Sequence, residues 1–167
     1  MVQRRCDMPD TNPDVKVAVI AAIDDSWREF RRVLTSLNAQ EMDTPGLAGV
    51  WSAKDILGHI TTWEEHVIRS LAFGRNETTP GFDLNRFNAD EVTAMSHLSS
   101  RDILVKMEET HRSLRDALAA ALPSHFEYGS PMRGTIDADT AAHYDEHARD
   151  IKKWVRNRPA SGDASKA

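Results

Sequence analysis

The sequence predicts an all-α fold, a four-helix bundle with a long crossover between its second and third helices. Three observations lead there. Four stretches carry apolar residues at three- and four-residue spacing, turn-forming residues separate them, and no stretch reads as strand. Four amphipathic helices in one chain bury their apolar stripes most simply against one another.

The first helix is read from Asp14 to Asn38, where Val15, Val19, Ile23, Trp27, Phe30, Leu34 and Leu37 share one face. Pro13 stands at its entry, where a missing N–H costs nothing. The connection Gln40 to Val50 contains Pro45, Gly46 and Gly49 and is read as a loop. The second helix starts at Ser52, with Asp55 three residues on as its capping-box partner. It continues through Ile56, Ile60, Trp63, Val67 and Leu71 to a stop near Gly74. The polar segment Arg75 to Arg86, with Pro80 and Gly81, exceeds a tight hairpin and is read as the crossover.

A short lead-in at Asn85 to Met95 precedes the third helix, whose body runs from Arg101 to Leu122 behind a cap at Ser99 or Ser100. Pro123 ends it. The linker Ser124 to Ile136 leads to a fourth helix, capped by Asp137 or Asp139 and closed by Pro159. The expected organisation is one bundle domain over residues 14–159, a mobile N-terminal arm over 1–13 and a disordered tail over 160–167.

Composition narrows the functional classes. The 167 residues are 40% hydrophobic and 28% charged, which is globular, and charges interrupt every apolar run before it could span a membrane. Arg4 and Arg5 lack an apolar segment behind them, so no secretory signal is expected. Cys6 stands alone, which suits a reducing cytoplasm. The formal net charge of −5 argues against a nucleic-acid partner, because such binding needs a concentrated basic face. Lys152, Lys153, Arg156 and Arg158 lie in the last turns of a helix, where they complement its dipole. A homodimer is the base-rate expectation for such a bundle.

Three of the seven histidines can converge. His143 and His147 are four residues apart, so both imidazoles reach one point beside their helix, the usual two-ligand unit for zinc-like ions. His59 sits among Ile56, Ile60 and Trp63, at the edge of an apolar face, and Ile151, Trp154 and Val155 continue the face of the His143–His147 pair. Burying three imidazoles without partners is costly, and one metal satisfies all of them. The alternative is three separately hydrogen-bonded core histidines. Three protein ligands leave a coordination position open, and a nitrogen-rich set suits Zn²⁺, Ni²⁺ or Fe²⁺ better than Mg²⁺ or Ca²⁺. His66 lies two turns beyond His59 on nearly the same face, while His97, His111 and His125 read as exposed or helix-end residues.

The segment from Asp43 through Trp51, Ser52, Lys54, Asp55, His59 and Trp63 to Glu64 resembles the loop and second-helix signature of the DinB-like superfamily, in its ClbS/DfsB-type branch of four-helix bundle (DinB/YfiT-like) proteins. Thr140 to Trp154, with His143, Tyr144 and His147, resembles the final helix of that branch, and Phe82 to Asn88 adds to the match. The resemblance implies a metal on His59, His143 and His147. It also implies activity on a small electrophilic molecule, by hydrolysis or by transfer of a low-molecular-weight thiol. The alternative it carries is a metal-free self-protection protein that hydrolyses or sequesters a reactive small molecule.

Around such a site the expected pocket wall is Trp51, Trp63, Phe82 and Tyr144, with the crossover as a lid. Asp55, one helical turn before His59, is the candidate to orient its ring. A structural or dimerisation module with merely packed histidines is the remaining reading. No G-x-S-x-G elbow or phosphate loop is present, so the catalytic groups stay open.

Overall fold

The stripes close on a common core in the computed structural model, which describes residues 13–74 and 83–158. In chain order the helices are α1 (Pro13–Leu34), α2 (Ala39–Met42), α3 (Ala53–Phe73), α4 (Leu84–Met95), α5 (Ser100–Ala120), α6 (Pro131–Asp139) and α7 (Ala141–Asn157), with a 3₁₀ turn at Pro123–Phe126. The four long ones, α1, α3, α5 and α7, make the bundle, with α3 against α5 and α1 against α7. Among the described residues there is no strand, and no helix is long and apolar enough to cross a membrane. Ile23 and Phe30 of α1, Ile56, Leu57 and Ile60 of α3, Met107 and Leu114 of α5, and Ile151 of α7 are all buried. Each such side chain contributes roughly 1.5–3 kcal/mol by leaving water. The expected arm 1–13, tail 160–167 and most of the crossover fall largely or wholly outside the described residues.

Differences from the expected boundaries follow local chemistry. The first helix stops at Leu34, before Asn38, because Thr35 and Ser36 hydroxyls turn back onto the carbonyls of Arg32 and Val33 at 2.7 and 2.6 Å. Asn38 instead caps α2: its side chain accepts from the Glu41 N–H, and the Glu41 carboxylate accepts from the Asn38 N–H. What read as a linker before the last helix contains α6. Pro131 is harmless in a first turn, and Met132, Thr135 and Ile136 bury a short i, i+3, i+4 stripe. Helix α6 packs on both α3 and α7, and the chain breaks at Thr140 before α7 begins.

Two glycines matter to the placement of α3. Gly74 ends it in the left-handed conformation at φ 65°, where a side chain would be strained. Gly58 lets α4 approach, since a Cβ there would sit 3.3 Å from the Met95 sulfur.

One polar cluster lies inside the core. Glu64 of α3 is fully buried; its Oε1 accepts from Tyr144 Oη of α7 at 2.5 Å and stands 2.8 Å from Nδ1 of His111 on α5. Trp27 of α1 stacks on the His111 ring with centroids 3.7 Å apart. Each long helix therefore contributes one residue. Burial pushes the Glu64 carboxyl above its usual range, against the pull of the His111 and Tyr144 hydrogen bonds. Removing one donor from a buried carboxylate leaves it under-solvated, so Tyr144→Phe should lower unfolding free energy by about 1–3 kcal/mol. Urea unfolding at neutral pH checks this, and a change within error would show that the hydrogen bond contributes no net stability.

Candidate metal centre

The capping box that starts α3 fixes where its side chains point. Ser52 Oγ accepts the Asp55 N–H, and the Asp55 carboxylate accepts both the Ser52 N–H and its hydroxyl, at 2.9 and 2.8 Å. One turn later His59 projects from the edge of the α3 stripe toward α7, where it meets His143 and His147. Ring centroids lie 4.7 Å from His59 to His143, 5.4 Å from His59 to His147 and 4.8 Å between the pair on α7. One ring nitrogen from each lies within 4.8 Å of the others.

The three imidazoles are held neutral. Burial first, then the neighbouring His147, lowers His59 to about 3. Burial, then His59 and His147, lowers His143 to about 2. His147 is also lowered by burial, with Asp150 pulling the other way. Neutral imidazole is the metal-binding form. The Nδ1 atom of His59 is buried without a hydrogen-bond partner, which a buried polar atom ordinarily has, while the His143 ring is engaged by the Asp139 backbone.

The donor set fits a borderline divalent ion. Two ligands at a tetrahedral zinc stand about 3.4 Å apart, and His143 Nε2 and His147 Nε2 are 3.1 Å apart. His147 Nδ1 lies 3.2 Å from Asp150 Oδ2, so the carboxylate fixes the tautomer that leaves Nε2 as a donor to metal. An i,i+3 His-x-x-Asp spacing in the sequence is the signal that could have found Asp150.

These nitrogens open into a cleft of about 340 Å³, lined by Trp51, His59, Trp63, Leu84, Asn88, Ala138, Asp139, His143, Glu146 and His147. Trp51 packs over His59 with centroids 4.8 Å apart, and Trp63 meets it edge-on at 6.3 Å. The Trp63 indole N–H donates to Asn88 Oδ1 at 3.1 Å, tying α4 to the cleft wall. Behind the wall, His66 Nδ1 lies 3.0 Å from Asp139 Oδ2.

Three expectations need correction or qualification. Asp55 does not orient His59: Ser52 engages its carboxylate, and the second-sphere carboxylate serves His147 instead. Tyr144 is not pocket wall, since its position 100° around α7 from His143 sends it into the core, onto Glu64. His111 is buried on Glu64, not exposed. Phe82 lies outside the described residues. Leu84, Asn88, Asp139 and Glu146 were not anticipated, because each comes from a segment whose orientation toward the cleft depends on tertiary packing.

The DinB superfamily family model matches residues 22–149. No curated protein matches the sequence. Solved structures share the fold. The sibling lethal factor precursor DfsB matches with TM-score 0.71 at 16% identity, covering 84% of this chain and 95% of that one. The colibactin self-resistance protein ClbS, in complex with a dsDNA, matches with TM-score 0.73 at 20% identity, covering 87% and 97%. An uncharacterised protein from Escherichia coli UTI89 matches with TM-score 0.70 at 18% identity, covering 85% and 93%. The ClbS complex overturns the expectation, drawn from net charge, that nucleic acid is excluded as a partner. A charge of −5 sums the whole surface and says nothing about the one face a duplex would meet.

The depressed histidines make metal-free protein acid-sensitive. Unfolded imidazoles take up protons below about pH 6.5, whereas folded His59 and His143 stay neutral down to about 3 and 2. The unfolded state binds more protons in that window, so stability falls as pH drops through it. In chelator-treated protein, His143→Leu should flatten the fall between pH 6.5 and 5, by up to about 1.4 kcal/mol per pH unit. Equal slopes for the two proteins in urea titrations would mean that His143 is not buried in its neutral form.

Proposed function

Since the chain belongs to the DinB superfamily, we propose that it is a metal-dependent enzyme acting on a small electrophilic molecule, with His59, His143 and His147 as the metal ligands. The observation that carries this reading is the convergence of three neutral imidazoles, two buried and that of His143 half-buried, on one point in the wall of the cleft. Buried polar atoms ordinarily have hydrogen-bond partners, and His59 Nδ1 has none.

A zinc-, nickel- or iron-like ion there would supply Lewis acidity, lowering the pKa of a water or a thiol at its open position. The chain's own residues do the rest. Asp150 holds the His147 ring in its ligating tautomer. Trp51 and Trp63 shield one side of the trio from bulk water, and the Asn88 contact to Trp63 keeps that wall in place. The geometry serves hydrolysis and thiol transfer alike, because both need a nucleophile delivered beside an apolar wall. The chemistry differs only in whether a C–O or a C–S bond forms, so the product distinguishes them. The likeness in fold to ClbS, a self-resistance protein, supports a protective role toward a reactive molecule as the setting for either reaction.

Metal content of untagged protein purified without added metal is the test. About one equivalent of zinc, nickel or iron is expected, falling to background in His59→Ala and His143→Ala while the helical circular dichroism is kept. Metal that stays below stoichiometry after reconstitution would sink this reading in favour of a metal-free hydrolase or a sequestering protein.

A further inference from the structure

The two sides of the cleft differ in kind. On the α3 and α4 side stand Trp51, Trp63 and Leu84; on the α6 and α7 side stand Asp139 and Glu146, and no Lys or Arg is among the described residues that line it. Asp139 is half-buried, with one carboxylate oxygen fixed by His66 Nδ1. Glu146 is exposed at the rim and has no ion-pair partner among the described residues. Asp139 and Glu146 are the acidic residues, and the three histidines the sole basic ones, among the described residues of the lining. A dication on the trio would offset the acidic residues in sum but not in place: it would sit among the imidazoles, while Glu146 stays at the mouth.

We infer that the cleft takes a small molecule joining a flat apolar body to a protonated amine, the body against Trp51 and Trp63 and the amine toward Asp139 and Glu146. This deepens the proposed function and rests on the cleft being its reaction site. A planar body gains from stacking on indole, and an ammonium gains both from carboxylates and from indole faces. Among the described lining residues an anionic ligand finds no Lys or Arg to hold its carboxylate, and it meets the exposed Glu146 at the mouth.

Isothermal titration of the full chain with tryptamine, indole-3-acetate and 3-methylindole separates charge from shape, since the three share one ring system. In low salt tryptamine should bind about tenfold more tightly than indole-3-acetate, the ratio that 1.4 kcal/mol gives. The ratio should shrink in 0.5 M salt and in Glu146→Gln, an exposed site whose replacement leaves the core untouched, and shrink further in Asp139→Asn. Indole-3-acetate or 3-methylindole binding as tightly as tryptamine would overturn the inference. So would a ratio unmoved by both substitutions, or no binding of tryptamine at millimolar concentration. Metal measured in the same samples keeps the two readings apart. Metal-free protein that still prefers the amine leaves this inference standing without the metal, and metal-loaded protein without the preference does the reverse.

Discussion

The rest of the molecule is arranged around one buried carboxylate. Glu64 is fully buried among four helices, and a charge or a polar group there is costly unless it is met by donors. Tyr144 and His111 meet it, and Trp27 presses on His111. The consequence reaches the cleft because Glu64 is five residues beyond His59 on α3 and Tyr144 is next to His143 on α7. A hydrogen bond between Glu64 and Tyr144 fixes how far α7 is rotated and slid against α3. That relation in turn decides whether the imidazoles of the two helices meet. Apolar packing alone tolerates small slides, since one Leu or Ile substitutes for another in a groove; a carboxylate with a single set of donors does not.

Much of this was legible in the sequence, for reasons that differ from residue to residue. The four long helices followed from periodicity, and the histidine trio followed from an i,i+4 pair and from the position of His59 on a stripe edge. Glu64 went unread as a buried group and His111 read as an exposed or helix-end residue, although a signal for burial existed. Glu64 falls four residues after Ile60 and three before Val67, and His111 falls four after Met107 and three before Leu114, so both interrupt an apolar stripe. A polar residue on a stripe is a buried polar residue, and two of them on separate helices imply a partner. Asp55 illustrates the opposite error. Its spacing fitted two roles, capping Ser52 and orienting His59, and one carboxylate whose oxygen is held by Ser52 cannot reach forward along the helix as well. Helix α6 was hidden by Pro131 and Gly134, which count against a helix in sequence but cost little in a first turn packed on α3 and α7.

The two polar clusters differ in where they lie. Around Glu64, the Tyr144 hydroxyl and the His111 ring converge on one carboxylate oxygen, Oε1, inside a closed core, which ties the helices together although Oε2 is left without a partner. Around His59, a buried nitrogen without a partner lies at the wall of an opening, beside two further imidazoles. That combination destabilises the fold at no structural gain, and proteins keep such costs where chemistry is done. The imidazoles are pressed into their neutral form by the same burial, so the site stands ready for a cation before any cation arrives.

Net charge is the coarsest descriptor of this protein, and it misled where it was used alone. The value of −5 counts Asp139 and Glu146 no differently from Asp25 or Asp90 on the outer faces, yet only the first two look into the cleft. Electrostatic selection acts over roughly a Debye length, about 8–10 Å at physiological salt. What a ligand meets is therefore the sign of the few groups around its entry path. Among the described residues of the cleft, the acidic groups stand on one side and an aromatic wall on the other. The sum of charges therefore predicts neither the sign at the cleft nor the charge of any other single face of the molecule.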